Sequence, residues 1–253
     1  RFDFEGDAIA AGDQQALRSA LYNVEEKSTG IEYSLKLWKK TGTAADIDLR
    51  RLWLHEMRQV QRVMSYAGSR DVIVDVLEFV EDSDNFGMLL ERAGQPLSAK
   101  RKRVSAQHWL KHLGAMRPRI IFWQNLRRIA SAIGVIHAQG LVHGNISADA
   151  VMTEGADTPD FQLAGLEWSF WLTAAGDTHA QLASATSRAP SYSFAGDWAA
   201  FGKLIAECLE LVVLETGEMH PSPNNATTGD LTIPERVLLK KLIAPTRSDQ
   251  LDA

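Results

Sequence analysis

The residue most in need of a chemical explanation is Glu56. It falls inside a helical stripe of Leu49, Leu52, Trp53, Met57, Val60, Val63 and Met64. A carboxylate on an apolar helix face is costly to bury unless it meets a cation or hydrogen-bond donors. His108 and His112 stand four residues apart on an expected helix, a spacing that can ligate a metal. No acid or cysteine stands near them, so an exposed basic helix is the simpler reading and no metal site is expected. Cys208, the only cysteine, lies among Leu204, Ile205, Leu209 and Leu211 and reads as a small buried apolar residue. One cysteine also excludes an internal disulfide and a cysteine-rich zinc site.

Charge offers a second kind of chemistry. The chain has 253 residues, 45% hydrophobic and 23% charged, with a net charge of -5, the make-up of a globular protein. From Arg92 to Ala148 it has no Asp or Glu, yet this stretch carries 10 of the 27 basic residues, leaving 17 basic against 32 acidic elsewhere. Lys100, Arg101, Lys102, Arg103, Lys111, Arg117 and Arg119 are its candidate partner-binding cations. Such a stretch is either a solvated basic face or a dock for an acidic protein or a nucleic-acid backbone. Its few aromatics argue against base-specific recognition.

The elements that must position these residues follow from periodicity. Strands are expected at 21–24 and 33–37 around the turn Ser28-Thr29-Gly30, and a helix from Asp46 on. Strands at Val72–Val80 and Phe86–Glu91 flank an acidic turn. Then come a long amphipathic helix over Ile120–Ala138, short strands at 140–143 and around 161–163, and a loop over Ala174–Ser187. The helices Asp197–Val213 and Ile233–Ile243 close the chain. A β-rich part with one helix thus precedes a mainly helical part: an α+β chain in two lobes.

In this order the residues resemble the eukaryotic-type protein kinase fold. Tyr33-Ser34-Leu35-Lys36 resembles the strand carrying the ATP-anchoring lysine, and His55-Glu56, 20 residues on, the helix glutamate that pairs with it. Glu91 to Gly94 resembles the hinge, and HGNISADAVM (His143–Met152) the catalytic loop H-R-D-x-x-x-x-N. LAGLEWS (Leu163–Ser169) resembles the metal-binding strand with its D-F-G, and Arg188-Ala189-Pro190-Ser191 the close of the activation segment. Asp197-Trp198-Ala-Ala-Phe-Gly202 resembles the start of the buried central helix, and Pro234–Ala253 the end of the fold. The resemblance implies a bilobal architecture with an N-lobe at 1–91, a hinge at 92–94 and a C-lobe at 95–253. It casts Lys36 and Glu56 as a retained pair, His143 as a packed histidine, and Asp197 as reaching back to the backbone of the loop.

The departures from the family fall on its chemistry. Kinase catalysis rests on metal ions, a lysine and an orienting aspartate. The base position holds Asn145, the loop lysine is Ser147, the loop asparagine is Ala150, and the D-F-G aspartate is Gly165. The lid glycines read Gln14, Ala16 and Ser19, with only Gly12 nearby. Gly144 replaces the catalytic-loop arginine. Ser191 and Gln250 replace a charged pair that would be costly to lose by halves. Glu167 and Asp149 are the acids that would have to rescue a metal site; a solvated loop acid and a turn acid are the simpler readings.

These losses imply a catalytically degenerate kinase-like domain, not an enzyme. The expected role is a scaffold or allosteric protein-interaction module within a larger, bacterial protein. The alternatives are a domain that senses a nucleotide without turnover, and a nucleic-acid or acidic-partner binder through the basic 92–128 region. No cofactor is expected beyond weak binding of ATP or another nucleotide without Mg²⁺. Trp168 and Trp171, in what would be the activation segment, either cover the cleft or serve as aromatic anchors for a partner. No apolar run approaches the roughly 20 residues of a membrane span. With Arg1 rather than Met at its start, the chain is expected to be a piece of a longer cytoplasmic protein.

Overall fold

The computed structural model describes residues 1–12, 19–92, 94–171, 193–214, 218–222 and 230–243. It is mixed α+β, with an antiparallel sheet N-terminal and helices C-terminal. Strands β1 (Phe2–Phe4), β2 (Ala20–Glu26), β3 (Glu32–Lys39), β4 (Val76–Glu81) and β5 (Asn85–Glu91) form one sheet in the order β1-β2-β3-β5-β4. Its pleat sorts the side chains. Ser34, Lys36 and Trp38 alternate with Tyr33, Leu35 and Leu37 along β3, and successive residues of a strand face opposite ways. Leu35 joins Val24 and Leu89 in a small cluster on one face. On the other, Lys36 sits in register with Leu21 of β2 and Met88 of β5.

Helix α1 (Ala45–Met64) is the 3.6-period stripe made real: Leu49, Trp53, Glu56, Val60 and Val63 are its buried residues. Trp53 anchors it, stacking on Phe86 at 5.4 Å and donating from Nε1 to the Gly87 carbonyl at 2.9 Å. A Cβ on Gly87 would lie 2.7 Å from Val80 and 3.0 Å from Leu37, so only glycine lets the strands and the tryptophan close up.

The expected strand Val72–Val80 is two elements. Ser69–Val72 forms a helical turn, α2, entered through Gly68 at φ 81°, and β4 begins only at Val76. The residues between leave the sheet: Ile73 bridges to Leu163 and the Val74 amide donates to the Leu163 carbonyl.

Beyond β6 (Gln95–Pro96) and α3 (Leu97–Arg103), helix α4 (Met116–Ala138) extends the main core that also holds Leu49 and Trp53, and buries Ile121, Phe122, Leu126, Ile129, Ile133 and Ile136. It begins a turn earlier than its apolar stripe, at Met116. Its buried Asn125 holds the chain in place: Oδ1 accepts from the amides of Asp160 and Phe161 at 2.8 and 2.9 Å. Short strands β7 (Leu141–Val142), β8 (Val151–Thr153), β9 (Gln162–Leu163) and β10 (Phe170–Trp171) carry the loops of the cleft.

Helix α5 spans Phe194–Cys208 and does not reach Val213 as its apolar run suggested. Glu210 takes a positive φ of 54°, which breaks the helix, and Leu211–Val213 becomes β11, paired with β12 (Met219–Pro221). An apolar run alone does not distinguish a helix from a helix followed by a strand. Helix α6 (Ile233–Ile243) packs on α5 at Gly202, where a Cβ would come within 2.8 Å of Leu242 and Ile243. The expected loop Ala174–Ser187 lies outside the described residues. Among those residues no helix is long and apolar enough to cross a membrane.

Candidate functional site

The sheet and the helical part face each other across a cavity of about 510 Å³. Lys36 reaches into it from β3. Its Nζ lies 2.8 Å from both carboxylate oxygens of Glu56, so strand register and helix period bring the two together. A third member completes the cluster: Glu167 Oε2 lies 2.9 Å from the same ammonium.

Glu167 arrives there through local backbone geometry. Gly165 adopts φ 85°, a left-handed conformation that strains other residues, and caps the 3₁₀ turn Leu166–Trp168. Leu166 is buried beneath the turn. Two contacts then dock this segment along α1. Beside the Lys36–Glu167 bond, the His55 ring donates from Nε2 to the Ser169 carbonyl at 2.5 Å. Arg62 lies 4.4 Å over the Trp171 ring. That ring in turn rests against Gly140, where a Cβ would meet Trp171 Nε1 at 2.8 Å.

Two carboxylates on one ammonium leave a buried excess of negative charge, and the cluster answers with a proton. Burial, reinforced by the neighbouring Glu167 charge, pushes the Glu56 carboxyl up to about 8. Burial acts the same way on Glu167, but the Lys36 ammonium outweighs it and holds that carboxyl below its ordinary value. Burial also acts against the Lys36 charge, and there the two carboxylates prevail and raise it. One proton is shared by a coupled group rather than owned by one residue.

Asn145, Ser147, Ala150 and Gly165, where the resemblance marks lost chemistry, all line this cavity. So does Asp149, which accepts a short hydrogen bond from Ser98 Oγ. Both lining carboxylates, Asp149 and Glu167, are thus engaged by groups of the chain itself. Among the described residues no cluster of three or more His, Cys, Asp or Glu side chains could hold a metal ion. Gln14, Ala16, Ser191 and Gln250 lie outside the described residues.

A second buried polar cluster supports the loop that carries Asn145. Asp197 accepts the amides of His143 at 2.7 Å and Gly144 at 2.9 Å, and the His137 ring donates to it from Nε2 at 2.8 Å. The His143 ring donates from Nε2 to the Ala164 carbonyl at 3.0 Å and accepts the Asn145 amide at Nδ1, so it serves as a neutral brace. Burial holds its pKa below the ordinary value.

Several cations of the basic stretch are bonded within the chain itself. Arg101 donates to the Cys208 carbonyl at 3.3 Å, and Arg119 binds Glu235 through Nε at 2.6 Å and Nη2 at 3.2 Å. Arg128 bonds the carbonyls of Phe161 and Asp71, and Arg117 stands 3.8 Å from Asp157. Lys102 and Arg103 line the cleft. Lys100 packs beside Gly155, and Lys111 sits in a 3₁₀ turn. Trp168 also lines the cleft, and Trp171 is half exposed.

The helix expected around His108 and His112 is only the 3₁₀ turn Trp109–Lys111, so the pair has no shared α-helical face. Their Nε2 atoms face the carbonyls of Gly155 and Ala106 instead. Cys208 is buried, and burial pushes its thiol up to about 12, which makes it unreactive. His137 and Glu235, the partner of Arg119, drew no attention in sequence, since neither breaks a local pattern.

Neither a scan against protein-family models nor a search of curated proteins finds a match.

Proposed function

We propose that the chain is a kinase-like bilobal domain that does not transfer phosphate and serves as a scaffold or allosteric module. The observation that carries this reading is Glu167 on Lys36. Phosphoryl transfer in the resembled family needs a lysine free to attract phosphate oxygens and carboxylates free to hold metal. Here the ammonium is bonded by two carboxyl groups, at 2.8 and 2.9 Å, and the carboxylates lining the cleft are occupied. Asn145 at the base position is an amide, which does not take up a hydroxyl proton at ordinary pH.

The docking of residues 166–171 along α1 supports the allosteric half of the proposal. Any partner that shifts α1 acts at once on Glu56, His55 and Arg62, and through them on the cleft. The internal bonding of the basic residues favours a protein partner over a nucleic-acid backbone, because Arg101, Arg119 and Arg128 are spent on it.

The test is incubation of the purified chain with labelled ATP, Mg²⁺ or Mn²⁺ and generic protein acceptors. No transfer above the level of Lys36→Ala is expected. Robust transfer that Lys36→Ala abolishes would overturn the reading.

A further inference from the structure

The charges lining the cleft are Lys36, Lys102, Arg103, Asp149 and Glu167. Lys36 is held by Glu56 and Glu167. Asp149 accepts from Ser98. Lys102 and Arg103, both exposed on the last turn of α3, have no carboxylate within ion-pair distance among the described residues. Arg103 makes only a long bond, 3.4 Å, to the Gln95 side-chain oxygen. The two cleft cations without a carboxylate partner therefore lie on α3, which also carries Ser98, the hydroxyl donor to Asp149.

The rest of the wall combines the polar Ser19, Ser98, Asn145 and Ser147 with an apolar strip. Ile9, Leu21 and Leu90 line it from the sheet side, and Ala150 and Met152 from the other. A volume of about 510 Å³ suits a small organic ligand. An apolar strip, two cations on α3 with no carboxylate partner among the described residues and a lysine already held by two carboxyl groups describe a ligand with the matching polarity.

We infer that the cleft binds an amphipathic anion, its apolar or aromatic body against Leu21, Leu90 and Met152 and its anionic head at Lys102 and Arg103, without a divalent metal. The inference deepens the regulatory reading and relies on it only in that the cleft performs no phosphotransfer. The anion stays at α3 because a head group at Lys36 would meet the carboxylates of Glu56 and Glu167. An acyl carboxylate and a nucleoside monophosphate share this chemistry.

The probe is anilinonaphthalene sulfonate, an aromatic body with one sulfonate, titrated in the absence of metal. Saturation at one dye per chain is expected. The double variant Lys102→Gln/Arg103→Gln, with its fold checked by circular dichroism, is expected to weaken binding by about tenfold or more, some 1.4 kcal/mol. Displacement by dodecanoate assigns the site to acyl carboxylates, and displacement by adenosine monophosphate assigns it to nucleotides. The inference is overturned if no saturable binding occurs, if neither competitor displaces the dye, or if the double variant binds as the parent does. It is equally overturned if Glu167→Gln, which frees charge on Lys36, strengthens binding while the double variant leaves it unchanged. Because no ATP or metal is present, its failure is separate from any failure of the phosphotransfer test.

Discussion

Glu56 and Glu235 are both glutamates held by a cation, and they end on opposite sides of ordinary carboxylate behaviour. Glu235 accepts from Arg119 Nε at 2.6 Å, Trp123 Nε1 at 2.6 Å, the Thr232 amide at 2.7 Å and the Thr232 hydroxyl at 2.9 Å. Burial works against its charge, but these donors prevail and hold the carboxyl down at about 2. Glu56 has a lysine at 2.8 Å and is pushed up to about 8, because it must share that lysine with Glu167 deep in the protein. The deciding quantities are the depth of burial and, with it, the count of positive charges and donors per carboxylate. The α4–α6 contact has enough donors and locks; the cleft has one carboxylate too many and is poised to change.

Removing the cation is the most severe test of that contrast. Lys36→Met leaves two buried carboxylates facing each other, and breaking a buried pair in this way costs about 3–5 kcal/mol. Chemical denaturation should show a loss of that size, and Glu56→Gln/Glu167→Gln in the same background should restore much of it. A loss below about 1 kcal/mol would mean that the cluster is wetter than its burial implies.

Next in size is the opposed pH dependence of the two sites. Glu235 is depressed from 4.5 to about 2, so its contribution is present above about 4.5 and is lost as pH falls through about 2. Glu56 is raised from 4.5 to about 8, so its contribution is complete below about 4.5 and is lost as pH rises through about 8. Stability measured against pH should lose its slope between about 2 and 4.5 in Glu235→Gln and its decline between about 4.5 and 8 in Glu56→Gln. Removing the Glu235 charge should also cost about 1–3 kcal/mol at neutral pH, because Arg119 and Trp123 lose their acceptor. Equal pH slopes in parent and variants would sink the comparison.

The two sites also differed in how far they could be read from sequence. Glu56 announced itself, because a charge inside the stripe from Leu49 to Val63 violates the helical pattern, and Lys36 lay on a strand whose alternation aims it the same way. The α+β order and most sheet strands followed from the same periodicities. Glu167 as the third member was not legible. Its position depends on the positive φ of Gly165 and on a 3₁₀ turn, which leave no periodic trace, and it reaches a lysine 131 residues earlier. Glu235 was equally silent, since it meets Arg119 across 116 residues and each looks like an ordinary surface charge. The end of α5 differs from expectation for a related reason: Cys208 to Val213 is apolar except at Glu210, and only the backbone there tells helix from strand.

The finest effect is expected from Glu167→Gln. The substitution keeps an acceptor for Lys36 and removes one of two negative charges, so the excess that makes Glu56 hold a proton disappears. Loss of a charge-assisted bond and relief of repulsion act in opposite directions, and the net change at pH 6 should stay within about 1 kcal/mol. At pH 9 the parent has given up the shared proton and holds two carboxylates on one ammonium, whereas the variant holds a balanced pair. Glu167→Gln should therefore gain stability over the parent as pH rises from 6 to 9, seen as a crossing or convergence of their denaturation midpoints. If the variant instead loses ground as pH rises, the excess charge is not buried in this cluster, and the contrast with Glu235 would have to rest on solvent exposure instead of donor count.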